Sequence, residues 1–152
     1  MTVQEWHGIK PNDNILPKGM VIIDKHEANQ YSPLSLAFLG DAVYEQLVRE
    51  HLMLTANMPP HTLHDEAVRR VRAEYQAKAV KLLDSILTEE ERDIIKRGRN
   101  ASGGLRHVPK SSDRSEYGMA TGLEALFGWL RLCEDNERIN FLFEYIWERD
   151  EM

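Results

Sequence analysis

The sequence predicts an all-α fold. Three observations carry this reading. Apolar residues recur every three to four positions through several long stretches, the period of a helix with one buried face. No stretch sustains the period-two alternation of a half-buried strand. Residues that favour helix N-caps, Ser32 and Thr88, stand where periodic stretches begin.

Residues 1–30 contain Pro11, Asn12, Asp13, Asn14, Pro17 and Gly19, which break a helix, so they read as an arm lying on the domain or on a partner. From Ser32, with Pro33 suited to the first helical position, Leu36, Leu39, Val43, Leu47 and Leu54 form an apolar stripe. This first long helix ends near Leu54, before Pro59-Pro60. A second starts near Thr62, with Thr62 and Asp65 in capping-box spacing, and carries Leu63, Ala67, Val71, Tyr75 and Ala79 on one face. Ser85 to Arg97 predicts a shorter helix capped by Thr88, with three glutamates in its first turn, where the helix dipole favours them. Gly98 to Ser115 holds three glycines and a proline and reads as a long loop. A densely apolar helix over Glu116–Cys133 and a last one over Glu137–Trp147 complete the chain.

With 152 residues, 42% hydrophobic and 29% charged, the chain suits one core-bearing domain, taken as residues 31–152. The single cysteine, Cys133, excludes an internal disulfide and a cysteine-rich zinc site. No signal-peptide pattern or membrane-length apolar run is present, so a cytoplasmic setting is expected and no membrane partner. The formal net charge is −6, which argues against a cationic coat but not against a local basic patch. Lys96, Arg97, Arg99, Arg106, Lys110 and Arg114 face only Asp113 across one segment. Such a segment either contacts phosphates or is simply solvated. The C-terminal twenty residues carry the opposite sign and read as solvated surface. His61 and His64 have helical i, i+3 spacing but no evident third zinc ligand. Trp129, Phe127, Tyr145 and Trp147 read as packing residues, and Tyr44 and Tyr117 lie close to the acidic positions described next.

Two carboxylates sit in apolar surroundings: Asp41 within Leu39-Gly40-Asp41-Ala42-Val43-Tyr44-Glu45, and Glu124 within Gly122-Leu123-Glu124-Ala125-Leu126-Phe127-Gly128. An ionised carboxylate in such a place is normally paired or bound to metal. Glycine inside a helix costs about 1 kcal/mol relative to alanine, so Gly40 and Gly122 point to close approach by a backbone or a ligand.

These two segments resemble the leucine-glycine-aspartate signature helix and the second acidic motif of ribonuclease III catalytic domains. The stretch Lys96 to Gly103, with Pro109-Lys110, is similar to the corresponding loop of the Mini-ribonuclease III group, which has no double-stranded-RNA-binding domain. The resemblance covers roughly residues 32–147. Where ribonuclease III enzymes usually carry two further acids, this chain has Ala37 and Thr121, losses that the Mini-ribonuclease III group generally shares.

The resemblance implies a compact helical bundle paired as a two-fold homodimer, with the signature helices at the interface and Gly40 easing their approach. It implies an endoribonuclease that hydrolyses double-stranded RNA to 5′-phosphate products, in maturation of 23S ribosomal RNA ends. The other reading is a catalytically silent RNA-binding or ribosome-assembly module on the same fold. Asp41 and Glu124 are the implied catalytic and metal-binding acids, for Mg²⁺ with Mn²⁺ as a substitute, and Glu45 and Thr121 are supporting positions. Arg97, Arg99, Asn100, Lys110 and Arg114 are the implied RNA contacts, with Arg69, Arg70 and Arg72 as weaker ones. A ribosomal protein is compatible as an accessory partner.

Overall fold

The computed structural model describes residues 23–103 and 113–150, and the elements among them are all helical. These are α1 (Lys25–Ala28), α2 (Pro33–Thr55), α3 (Pro60–Val71), α4 (Ala73–Leu83), α5 (Glu89–Ser102), α6 (Arg114–Leu132) and α7 (Asn136–Glu148). The centre is α6, because its apolar residues run around its whole circumference and a helix of that kind is stable only when enclosed. Residues Ala120, Leu123, Ala125, Leu126, Phe127, Trp129 and Leu130 are each at most 4% exposed. Helices α2, α4, α5 and α7 pack around it, and α1 lies against it.

The first long helix starts and ends where expected. The Ser32 hydroxyl accepts the Leu34 amide at 3.2 Å, and Pro33 opens α2. Its inner face buries Leu36, Val43 and Leu47, but Leu54 is 86% exposed and lies outside the stripe. At the other end of the chain, the Asp135 carboxylate caps α7 by accepting the Arg138 amide.

The expected second helix is two. It breaks at Arg72, whose ψ of 148° is extended, although no glycine or proline stands there. The break lets α4 turn Tyr75, Gln76, Ala79, Val80 and Leu83 into the core. Among the residues of α3 only Ala67 is buried, and one straight helix could not satisfy both faces. The Thr62–Asp65 box does not form; Pro59 is the N-cap and Pro60 starts the helix.

The expected Gly98–Ser115 loop is also shorter. Helix α5 continues to Ser102 and α6 already begins at Arg114. Gly98 does not end the helix because α6 packs onto it: a Cβ there would lie 2.9 Å from the Gly122 Cα. Packing outweighs the propensity cost of glycine at this point. Residues 104–112, which include Arg106 and Lys110, lie outside the described residues.

Two acids, Glu91 and Asp150, have buried side chains. Glu91, at the third position of α5, closes a capping box with Thr88 and is 3% exposed. It receives Arg138 of α7 through two bonds of 2.7 and 2.9 Å, and Arg138 donates to the Ile86 carbonyl at 2.8 Å. Asp150, in the segment expected to be solvated, has a side chain 6% exposed and lies 2.9 Å from Arg70 and 3.5 Å from Arg69. Breaking one partner of a buried pair strands the other charge. Arg138→Ala is therefore expected to cost about 3–5 kcal/mol of stability, read from the urea midpoint; a loss below about 1 kcal/mol would mean that Glu91 is readily solvated.

Candidate active site

Helices α2 and α6 touch backbone to backbone at the level of the two isolated acids. A Cβ on Gly40 would lie 1.6 Å from the Glu124 carbonyl oxygen and 2.8 Å from the Gly128 amide nitrogen, and one on Gly128 would lie 1.9 Å from the Leu36 carbonyl oxygen. Gly40 thus faces the core of its own chain. The expected role of Gly40 at a contact between two copies is not what the structure shows, because α6 already fills the space beside it. One turn along, the Tyr44 ring is wedged between Phe127 and Phe143, edge-on to each at 5.4 Å. These contacts set the separation of α2 from α6, and therefore of Asp41 from Glu124.

The two carboxylates feel each other. Burial, reinforced by the charge of Asp41, pushes Glu124 up to about 8. Partial burial, then the charge of Glu45, raises Asp41 above the usual carboxylate range. Neither acid has an ion pair with a cation among the described residues. Glu124, half-buried, and Asp41, exposed at the surface of α2, form an uncompensated carboxylate pair across two helices, a hard-oxygen donor set that suits a divalent cation. The residues present therefore fit such an ion, with Asp41 and Glu124 as the groups to hold it.

The supporting positions point elsewhere. Glu45 is held by Arg49 at 2.7 Å, and the Thr121 hydroxyl donates to the Tyr117 carbonyl at 3.0 Å. Of the basic residues, Arg97 donates to the Asn29 carbonyl at 3.1 Å and ties α5 to the end of α1. Arg99, Asn100 and Arg114 are exposed. They share one corner, since Arg99 packs at Gly118 near the start of α6. Lys110 lies outside the described residues. Arg69 and Arg70 are engaged internally: Arg70 bonds to Glu66 and Asp150 and stacks 4.7 Å from the Trp147 ring. Arg72 remains exposed. Burial raises the Cys133 thiol to about 11, which keeps it unreactive. Among the described residues no group of three or more His, Cys, Asp or Glu side chains is placed to hold a metal ion, so neither His61 and His64 nor Asp41 and Glu124 have a third such protein ligand beside them.

Comparison with known proteins gives the family of the chain. The model of the ribonuclease III domain family matches residues 34–135, a span that holds both acids and all of α2 except its first residue. The chain is 41% identical to a Mini-ribonuclease 3 of Thermoanaerobacter sp. over 81% of this chain and 85% of that one. It is 46% identical to a Mini-ribonuclease 3 of Symbiobacterium thermophilum over 71% of this chain and 82% of the relative. The chain belongs to the Mini-ribonuclease III group of the ribonuclease III family. A crystal structure of a Fusobacterium nucleatum protein superposes with a TM-score of 0.72 at 33% identity, over 80% of this chain and 95% of that one. The all-helical ribonuclease III fold and an endoribonuclease activity of the ribonuclease III type follow from this membership. The family acts on double-stranded RNA and depends on divalent metal. No helix among the described residues is long and apolar enough to cross a membrane.

The roles of Gly128 and Tyr44 in this ribonuclease III domain are not apparent from the sequence. The recurrence of glycine in two otherwise apolar helices is the available signal, and only the pairing of α2 with α6 turns it into geometry.

The raised Glu124 has a measurable consequence. Its folded value is about 8 against 4.5 for the free side chain, so the fold favours the protonated form. The associated stability is present below about pH 4.5 and is lost as pH rises through about 8. Without divalent ions, the protein is expected to lose about 2 kcal/mol more than Glu124→Gln between pH 5 and pH 8.5, the group being only partly buried. Equal pH profiles for the two proteins, followed by denaturant titration, would contradict the assignment.

Proposed function

We propose that this enzyme cleaves double-stranded RNA at Asp41 and Glu124 with Mg²⁺, Mn²⁺ serving in its place, and that its task is maturation of 23S ribosomal RNA ends in the cytoplasm. The observation that carries the site assignment is the pairing of the two acids across the glycine contact. When bound, the divalent ion supplies a Lewis acid that lowers the pKa of a water molecule and offsets charge developing at phosphorus. Asp41 and Glu124 hold that charge in place. The tight α2–α6 contact keeps the two acids at fixed separation through the reaction, so little reorganisation is needed. Release of the Glu124 proton frees both of its oxygens as acceptors. The products carry 5′-phosphates, as membership in the family implies.

A homodimer fits the surface of α2. Phe38 is 85% exposed and Met53 71% exposed, and Phe38, Ala42, Arg49 and Met53 share one side of the helix. Beside Met53 lies an apolar hollow of about 250 Å³ bounded by Leu52, Pro60, Leu63, His64 and Ala67. A two-fold axis crossing α2 between Phe38 and Met53 brings the Phe38 of each copy to the hollow of the other, an isologous contact. Two such copies present two acidic sites, one for each strand of a duplex.

Arg99, Asn100 and Arg114 are the described residues that we assign to phosphate contact, with Lys110 added from the sequence. Arg114 stands ten residues before Glu124 on α6, about 15 Å along the axis. Arg97 contributes positive charge but is anchored to Asn29. The double variant Arg99→Ala/Arg114→Ala is expected to weaken duplex binding at least tenfold in low salt and to flatten the salt dependence by about two units of log–log slope. An unchanged slope would remove this corner from the phosphate interface. The ribosomal substrate is tested by incubating 23S precursor RNA with enzyme and Mg²⁺ and mapping the ends; scattered cutting at any duplex would overturn it.

A further inference from the structure

We infer that the outward face of α7, centred on Phe141 and Tyr145, docks a cationic, arginine-bearing segment of a partner protein. Four large apolar side chains are exposed among the described residues. Phe38, Met53 and Leu54 belong to α2, and the fourth, Phe141, stands on α7 at 50% exposure. Phe143 and Trp147 turn the inner side of α7 toward His51 of α2, with ring centroids 4.6 and 5.2 Å away. Phe141 points the opposite way, because two residues along a helix rotate a side chain by about 200°. It therefore lies off the α2 surface assigned to the pairing of two copies. Tyr145, one turn on, continues the aromatic strip at a ring separation of 6.5 Å.

Charge says what covers this strip. Glu137, one turn before Phe141, and Glu144, three residues after it, are exposed and have no ion pair among the described residues. Glu148 follows on the same side, 3.8 Å from Arg149. Such anions repel RNA and anionic membrane surfaces, and burying them beneath an apolar helix is costly. A cationic segment satisfies them. The rings already take guanidinium groups from this chain: Arg138 lies 5.3 Å from the Phe141 centroid and Arg149 3.5 Å from that of Tyr145. Arg138 is committed to Glu91, so it leaves Glu137 and Glu144 uncompensated. Arginine suits the face better than lysine, since its planar group stacks on a ring while donating to carboxylates. The Arg138–Glu91 contact also fixes this face at the start of α5. Arg99 lies eight residues after Glu91, about 12 Å along the helix axis. Partner and duplex thus occupy separate places on one protomer.

The probe is a fluorescein-labelled nona-arginine peptide, titrated with the full chain in about 0.15 M salt, where distant charges are screened. Fluorescence anisotropy follows binding, and nona-lysine is the comparison. The expected result is saturable binding, tighter for nona-arginine than for nona-lysine. Phe141→Ala and Glu137→Gln/Glu144→Gln are each expected to weaken it about tenfold or more. Both variants are expected to cleave duplex RNA at the parent rate when no peptide is present. Glu50→Gln/Asp65→Asn, which changes exposed acids of α2 and α3, removes the same charge and is expected to alter binding less than about twofold. Equal weakening by this control reduces the effect to net charge and overturns the docking face. Peptide binding by Phe141→Ala at the parent affinity overturns it as well. So does sedimentation showing assemblies larger than a dimer that are lost in Glu137→Gln/Glu144→Gln, because the occupant is then another copy of this chain.

Discussion

Asp41→Asn is expected to lower cleavage of duplex RNA by at least about 10³-fold, some 4 kcal/mol of transition-state stabilisation, while the melting temperature of the metal-free protein stays the same or rises. The two halves of this result have one cause. In the free protein Asp41 and Glu124 repel each other, and burial disfavours both charges. Replacing one carboxylate by an isosteric amide relieves the repulsion and costs no ion pair among the described residues. With a divalent ion and substrate bound, the same replacement removes one of the two anionic ligands. A structural acid behaves in the opposite way: its removal lowers the melting temperature, as expected for Glu91 and Asp150, whose partners would be stranded. Parent and variant are compared by initial rates on a long RNA duplex and by thermal melts in chelator. Cleavage by Asp41→Asn at the parent rate would exclude Asp41 from the catalytic site.

Gly40→Ala is expected to be one of the two most damaging glycine-to-alanine changes among the described residues. Alanine is the better helix former by about 1 kcal/mol, so on propensity alone the change would stabilise. The new carbon would lie 1.6 Å from the Glu124 carbonyl oxygen, far inside contact distance, and the obstacle is backbone that cannot rotate away. Helices α2 and α6 must separate, which opens the interface that holds most of the core. We expect a loss of more than about 3 kcal/mol, at or beyond the upper range for overpacking, and loss of cleavage even where the variant still folds. Gly128→Ala, with the Leu36 carbonyl oxygen at 1.9 Å, is expected to match it. Gly118→Ala is the contrast, since its nearest neighbours at 3.1 and 3.2 Å belong to the Arg99 and Ser102 side chains, and it is expected to cost less than about 1 kcal/mol. Chemical denaturation of the three variants ranks them; a Gly40→Ala protein as stable as Gly118→Ala would refute the contact.

Much of the fold and of the site is legible in the residues alone. Helix α2 announces itself through Ser32-Pro33 and a 3.6-residue stripe, and α5 through Thr88 and its acidic first turn, because caps and periodicity are local properties. Asp41 and Glu124 stand out because a charge in an apolar helix demands an explanation wherever the helix lies. The departures have a common origin. The break at Arg72, the passage of α5 through Gly98 and the burial of Leu36 but not Leu54 are each decided by which face meets α6. Composition also misjudges individual charges. Glu91, Asp150 and Arg70 look like solvent-facing residues, yet each has a partner inside the fold.

The sequence by itself determined the helical class, the caps of α2 and α5, the family, and the two acids on which activity is assigned. These follow from residue types at short range and from motifs that survive being read in one dimension. Only the tertiary structure decided that Gly40 and Gly128 press α2 against α6, that Asp41 and Glu124 therefore share one electrostatic environment, and which cations remain free for RNA. The physical reason is range. A cap or a stripe is settled within a few residues, whereas a carboxylate's charge state and a glycine's necessity depend on atoms about 80 residues away along the chain, which come into contact only when the core closes around α6.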